Sequence, residues 1–116
     1  MSDIINIGKT EELVQKKKYD FCIGSFDKLD EQIIKKIKEE ASNAEVYGVG
    51  VYSNDILEDT FFTYPLNDLK TRMKTAKSIE SVDFVFSIDT NKENEIKEII
   101  QKEFSNYINN KKLHKT

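Results

Sequence analysis

The stretch Tyr19-Asp20-Phe21-Cys22-Ile23-Gly24-Ser25 joins a β-prone apolar run to a glycine turn, which is typical of a buried strand followed by a tight connection. Asp30 comes shortly after the turn and is suited to cap a helix, because its carboxylate can accept a backbone N–H of the first turn. Beyond it, four apolar residues recur at helical spacing. These residues are Ile33, Ile34, Ile37 and Ala41. The sequence therefore predicts a strand, a glycine turn and an amphipathic helix.

Two further strands are predicted downstream. Residues 45–52, EVYGVGVY, alternate between two faces, and Gly48 and Gly50 share one of them. The missing side chains of these glycines would let a helix pack close to the sheet. Residues 83–88, DFVFSI, are almost entirely apolar, which favours a central position for the third strand.

Helices are expected around these strands. Asn67 or Asp68 caps a helix that ends near Ser81, and residues 91–108 form a last helix. Residues 53–66 form a long connection before the first of the two. The inward stripes are Leu69, Met73, Ala76 and Ile79 in the first helix, and Ile96, Ile99, Ile100, Phe104 and Tyr107 in the second.

The alternation of strands and helices argues for a parallel sheet with right-handed crossovers. We therefore expect one domain over residues 1–108, a small Rossmann-like three-layer α/β domain with a short parallel sheet, followed by a polar tail over residues 109–116. Residues 10–17 are predicted to form a short helix, and residues 3–7 an extended segment that would add a fourth strand. Without it the sheet has an open edge, which favours a homo-oligomer or another protein partner.

The composition excludes several classes of function. The 116 residues carry a formal charge of −3, from 18 basic and 21 acidic side chains, and show no basic footprint for nucleic acid. Arg72 is the only arginine, so the chain has almost no capacity for bidentate phosphate clamps. Cys22 is the only cysteine, which rules out an intrachain disulfide and favours a buried small hydrophobe. The chain shows no cationic leader and no apolar run of about 18 residues, so we expect a cytoplasmic protein with no membrane partner.

Three stretches carry a family resemblance. Residues 21–27, FCIGSFD, resemble the Gly-Thr-Phe-Asp turn of cytidylyltransferases of the glycerol-3-phosphate and choline-phosphate type. Residues 49–55, VGVYSND, are similar to the second strand of that family and its following Ser-x-Asp. Residues 65–83 are similar to the helix whose arginine, here Arg72, precedes a Val-Asp pair. The resemblance implies a nucleotidyltransferase fold, and it implies CTP and Mg²⁺ as cofactors only if the domain is an active enzyme. The nucleotide-binding candidates that it implies are Gly24, Ser25, Phe26, Asp27, Lys28 and Arg72.

The catalytic motif of that family is missing. In the family a His-x-Gly-His motif opens the first helix, and its histidines stabilise charge on the transferring phosphate. Here Asp30 and Ile33 occupy the histidine positions, and the only histidine is His114. Asp30 and Glu31 also put negative charge where the family binds phosphate, either as a plain helix cap or as carboxylates bridged by a divalent metal. The family's later Arg-Thr-x-Gly-x-Ser-Thr segment is absent too, so the resemblance implies a C-terminally truncated domain with no catalytic residues.

Two functions of different class stay open. The first is a catalytically degenerate cytidylyltransferase-like module that acts by self-association or with a protein partner, through the last helix or the loop with Phe61, Phe62 and Tyr64. These three aromatic residues either form such an exposed contact surface or fill the core. The second is an active cytidylyltransferase that makes a CDP-linked small molecule, of the CDP-glycerol or CDP-choline type, with a non-standard or partner-completed site. Arg72 is then a retained phosphate or dimer contact or part of a solvated helix face, and Lys28 either reaches a phosphate or stays at the surface.

Overall fold

Three parallel strands form the sheet of the domain. The computed structural model describes residues 17–115, with side chains for residues 18–111. The strands are β1 (Lys17–Gly24), β2 (Ala44–Tyr52) and β3 (Phe84–Ile88). Their spatial order is β1-β2-β3, with Phe21 opposite Gly48 and Gly48 opposite Phe84. The predicted short parallel sheet is confirmed.

The described residues also form helices that connect and cover the strands. These are α1 (Glu31–Ser42), α2 (Asn54–Asp59), α3 (Leu69–Lys77) and α4 (Glu93–Lys115). Asp30 caps α1 and Asp68 caps α3, as the sequence predicts. Their carboxylates accept the backbone N–H of Ile33 at 2.8 Å and of Thr71 at 2.9 Å.

One face of the sheet packs against α1 and α3. Tyr47, Val49 and Val51 point from β2 to this face and are buried, because alternate side chains of a strand share a face. Ile37 of α1 and Ala76 of α3 are buried in the same cluster. The predicted division of β2 into a glycine face and an apolar face is confirmed.

Gly48 and Gly50 lie on the opposite face, which α4 covers. A Cβ at Gly48 would lie 2.6 Å from the ring of Phe84, and a Cβ at Gly50 would lie 3.0 Å from the ring of Phe86. Phe104 of α4 packs edge-on against Phe84, with ring centroids 4.8 Å apart. The glycines thus make room for aromatic rings of the neighbouring strand, and α4 packs over those rings instead of against bare backbone. Helices on both faces give the three layers of a small Rossmann-like α/β fold.

The predicted central position of the third strand is wrong. β2 lies in the middle of the described sheet, and β3 lies at its edge. β3 is nevertheless apolar because α3 packs on one of its faces and α4 on the other. Phe86 and Ile88 are buried on one face, while Val85 is half-buried and Ser87 exposed on the other, as suits a strand at an edge.

Three helix predictions also need correction. The connection over residues 53–66 contains α2, which Ser53 caps by accepting the N–H of Ile56 at 3.3 Å. α3 ends at Lys77, before the predicted end near residue 81. The last helix continues to Lys115, so residues 109–115 are helical where a polar tail was predicted.

Other predictions concern the chain ends, the membrane and the cysteine. Residues 3–7 and residues 10–16 lie outside the described residues, while Lys17 begins β1. Along residues 17–115, no helix is long and apolar enough to cross a membrane. Cys22 is half-buried against the core, and this burial raises the pKa of its thiol.

Candidate functional site

The turn after β1 contains most of the residues that the resemblance assigns to nucleotide binding. Phe26 has a left-handed backbone, with φ 54°, and its side chain is buried. This conformation, uncommon for residues other than glycine, folds the ring over Gly24. A Cβ at Gly24 would lie 3.2 Å from that ring. Packing against Phe26 therefore accounts for the glycine without a bound phosphate.

Asp27 holds the segment that leads into α3. Its carboxylate accepts the backbone N–H of Leu66 at 2.7 Å and of Asn67 at 2.9 Å. The side-chain amide of Asn67 donates to the same carboxylate at 3.0 Å. The N–H of Leu66, followed by those of Asn67, holds the pKa of Asp27 below its usual range. The carboxylate is thus engaged with donors of the chain itself.

Arg72 lies beneath these segments and is fully buried. Its guanidinium donates to the carbonyl oxygens of Ser25 at 2.9 Å and Tyr52 at 2.7 Å. It also donates to the carbonyl of Asn67 at 3.0 Å and to the side chain of Asn54. Burial lowers the pKa of Arg72, but a guanidinium stays charged in proteins. The interpretation of Arg72 as part of a solvated helix face is wrong.

Together these contacts join the carboxyl ends of the strands. Arg72 connects the end of β1, the end of β2, the start of α2 and the segment before α3. Ser53 adds a link from β2 to β3, because its hydroxyl donates to Asp89 at 2.8 Å and its N–H donates to the carbonyl of Ile88 at 2.8 Å. This edge is where ligands bind in open α/β sheets. In this protein, many of the polar groups at this edge form hydrogen bonds with one another and so stabilise the scaffold.

The start of α1 carries the two positions at which the sequence resemblance would place histidines. Asp30 is exposed, and its carboxylate lies at the helix N-terminus as the cap. Ile33 is half-buried against the core and offers no polar atom. Glu31 and Lys28 are exposed at the surface. Among the described residues, no group of three or more His, Cys, Asp or Glu side chains is placed to hold a metal ion.

A small cavity lies between the end of β1 and α1. It has a volume of about 130 Å³ and is lined by Gly24, Ser25, Ile33 and Lys36, among others. Pockets that take small organic ligands are usually about 300–1,000 Å³, so this cavity is too small for a nucleoside triphosphate. Lys36 is the one cation at this cavity and was not among the candidates from the sequence.

An aromatic loop, residues 61–66, lies beside the turn. Phe62, Tyr64 and Leu66 are 80%, 74% and 81% exposed, and Phe61 is half-exposed with its ring 5.0 Å from that of Tyr52. The exposed apolar loop predicted from Phe61, Phe62 and Tyr64 is confirmed.

A groove runs between α3 and the outer edge of β3. It has a volume of about 650 Å³. Leu69, Met73, Phe84, Val85 and Tyr107 form its apolar floor, and Lys70, Lys74 and Lys77 stand along its α3 side. Asp83 also lines it, with its carboxylate accepting the N–H of Tyr47 at 2.7 Å.

Sequence reasoning found part of this arrangement. The structure brings Ser25, Asp27 and Arg72 together, and it leaves Lys28 apart at the surface. Asn54 and Asn67 were missed, although each directly follows or precedes a helix boundary where side-chain amides commonly bond backbone.

Three comparisons with known proteins bear on this geometry. No protein-family model and no curated protein matches the chain. Among solved structures, a lipopolysaccharide core biosynthesis protein from Thermoplasma volcanium GSS1 is similar, with a TM-score of 0.64 and 19% sequence identity. The match covers 72% of this chain and 66% of that one, so this chain spans just under two thirds of its neighbour's length. At this identity the likeness concerns the fold, and it supports the small Rossmann-like α/β architecture.

Proposed function

We propose that this chain is a nucleotidyltransferase-like domain that does not transfer nucleotides and acts by association with protein. The observation that carries this proposal is the position of Asp30. Its carboxylate accepts the N–H of Ile33 at 2.8 Å and so occupies the helix N-terminus at which the resemblance places the transferring phosphate. A phosphate at this position would meet like charge and would have to displace the cap.

The other candidate residues support the same proposal. Arg72 makes four hydrogen bonds within the chain, so one of its five N–H groups is left over. Asp27 accepts three hydrogen bonds from Leu66 and Asn67. Both residues match the family in sequence, yet both serve the scaffold. If only the residues that support the fold remain, we expect a chain that resembles the family in sequence but has no transferase activity.

The aromatic loop supports the associating role. Three apolar side chains that are each at least 74% exposed are costly to leave in water, and aromatic residues are enriched at the centres of protein interfaces. The loop lies close to the carboxyl ends of the strands, because Asp27 accepts the N–H of Leu66.

The proposal is tested by titrating the ¹⁵N-labelled full chain with CTP and Mg²⁺ and following amide shifts. We expect residues 24–27 and Arg72 to show no saturable change up to about 5 mM CTP, a weaker limit than any useful substrate affinity. Asp30→Asn with Glu31→Gln keeps a good N-cap and removes both charges, so a weak response in this variant would identify the carboxylates as the cause. Glu93→Gln with Glu95→Gln, at the start of α4, is the matched control.

The alternative, an active cytidylyltransferase that makes a CDP-linked small molecule, predicts the opposite result. Saturable shifts at residues 24–27 in the unmodified chain at micromolar to low-millimolar CTP, with pyrophosphate release on addition of glycerol 3-phosphate or choline phosphate, would overturn our proposal.

A further inference from the structure

We propose that the protein partner is a second copy of this chain, and that the aromatic loop of each copy seats in the α3–β3 groove of the other. This inference rests on the proposed function, because it names the partner of an associating domain. It is carried by three features: the rigid support of the loop, the size of the groove, and the charges that flank each of them.

The aromatic loop is braced at its C-terminal end by the polar network. Asp27 accepts the N–H of Leu66 at 2.7 Å, and Arg72 donates to the carbonyl of Asn67 at 3.0 Å. At its other end the N–H of Thr63 donates to the carbonyl of Leu57 at 2.9 Å. Phe62 projects from a left-handed backbone with φ 52°. The backbone of the loop is thus held at both ends, so ordering it on binding costs little conformational entropy, which favours association.

The groove can receive such a loop. Its volume of about 650 Å³ is within the range of pockets that enclose whole organic ligands, and therefore admits more than one aromatic ring. Its floor includes Met73 and Tyr107, which can pack against incoming rings. The groove also follows the outer edge of β3, an edge that no other described strand covers.

The charges around loop and groove are complementary. The helix α2, which leads directly into the aromatic loop, carries three carboxylates, and α3 carries three ammonium groups beside the groove. The carboxylates are Asp55, Glu58 and Asp59, and the cations are Lys70, Lys74 and Lys77. Opposite charges beside the aromatic loop and the groove would mainly determine which partner binds and in which register. They would add less to the affinity. The same chain carries both halves, which argues for a second copy over an unrelated protein.

A two-fold axis beside α3 satisfies both contacts at once. The aromatic loop directly precedes α3 and the groove runs along α3, so we expect an antiparallel pair of α3 helices to bring each loop to the opposite groove. Such an isologous pair is closed and does not extend into filaments. The exposed loop residues present roughly 500 Å² of surface, less than the ~800 Å² that a standard interface buries per partner, so we expect a weak dimer that depends on protein concentration.

The first test is sedimentation of the full chain from about 10 µM to about 1 mM, a range in which a dimer is recognised by its dependence on protein concentration. We expect a monomer–dimer equilibrium. Phe62→Asn should weaken dimerisation at least about tenfold, because it removes the central ring while keeping a residue that tolerates the left-handed backbone. Lys102→Asn, an exposed change on α4 away from loop and groove, should leave it unchanged. A chain that stays monomeric, or a dimer indifferent to Phe62→Asn, overturns the inference.

Charge reversal tests the register. Glu58→Lys with Asp59→Lys and, separately, Lys70→Glu with Lys74→Glu should each weaken the dimer about three- to tenfold, and all four changes together should restore it. If the fourfold variant instead loses the sum of the two losses in dimer affinity, the carboxylates of α2 and the lysines of α3 do not pair.

A cross-link identifies the contact directly. We would place p-benzoylphenylalanine at position 62, mix ¹⁴N and ¹⁵N copies, and irradiate. Mixed-isotope peptides joining position 62 to residues 69–77 or 83–85 are expected, and cross-links confined to one copy or to other surfaces overturn the inference. A monomer that also ignores CTP would leave the proposed function standing with another protein as partner. A dimer with this cross-link that releases pyrophosphate would remove the proposed function and keep the interface.

Discussion

Arg72, one of the residues singled out from the sequence, bonds to the scaffold of the domain. Its guanidinium is fully buried and donates to the carbonyls of Ser25, Tyr52 and Asn67. Buried carbonyls need a donor, and one planar group with five N–H donors supplies all of them at once. The arginine is therefore retained for a reason that does not require a phosphate.

Replacing Arg72 with Met should destabilise the fold strongly. The apolar side chain fills a similar space but leaves three carbonyls and the Asn54 side chain without their donor, and unpaired buried groups cost about 1–3 kcal/mol each. We expect a loss of about 3–5 kcal/mol in the free energy of unfolding, measured by urea denaturation. Lys38→Met on α1, an exposed position away from loop and groove, should stay within about 0.5 kcal/mol. Equal stability of both variants would show that the network is dispensable.

The burial of Arg72 could have been predicted from its spacing relative to the apolar residues of α3. It stands three residues after Leu69 and four before Ala76, at positions of the same helical stripe that packs on the sheet. A charged residue in such a stripe is usually attributed to a solvated face, since unpaired charge is costly to bury. The carbonyls that compensate Arg72 come from Ser25 and Tyr52, which lie 47 and 20 residues away in sequence, and no local pattern announces them.

At the scale of elements, the two faces of β2 explain which predictions succeeded. The alternation of apolar residues and glycines correctly predicted β2 and its apolar face, because Val49 and Val51 recur with the period of a strand. The same pattern gave no information on what fills the space over Gly48. That depends on pairing with β3, and Phe84 lies 36 residues downstream. The edge position of β3 was missed for a related reason, since an almost entirely apolar run looks alike in a central strand and in an edge strand that helices cover.

Gly48→Ala tests the fit between β2 and β3. The new Cβ would lie 2.6 Å from the ring of Phe84, so the ring must move within a packed layer. We expect a loss of about 1–3 kcal/mol in unfolding free energy, measured by thermal and urea denaturation. Phe84→Leu in the Gly48→Ala background should recover part of it, seen as a favourable coupling of at least about 0.5 kcal/mol in a double-mutant cycle. Additive losses would mean that the two residues do not compete for space.

For the whole molecule, the third layer depends on how α4 is held. Phe104 is buried, with its ring 4.8 Å from that of Phe84 on β3 and 5.4 Å from that of Tyr19 on β1. One side chain of the helix thus spans the sheet from edge to edge. Tyr107 also stacks on Phe84, with ring centroids 4.8 Å apart, but Phe104 is the one residue of the described part of α4 that is buried.

Phe104→Ala should therefore release α4 as well as lower stability. A large-to-small change at a buried aromatic costs about 3–5 kcal/mol, and a helix without tertiary contacts is marginal in water. We expect amides of residues 95–108 to lose protection against hydrogen exchange, while those of β2, on whose apolar face α1 and α3 remain, keep part of theirs. Gln101→Ala, exposed one turn earlier, is the matched control and should leave exchange unchanged. Uniform loss of protection in β2 and α4 together would instead mean that the three layers unfold as one unit, and that the glycine face has no stability without its helix.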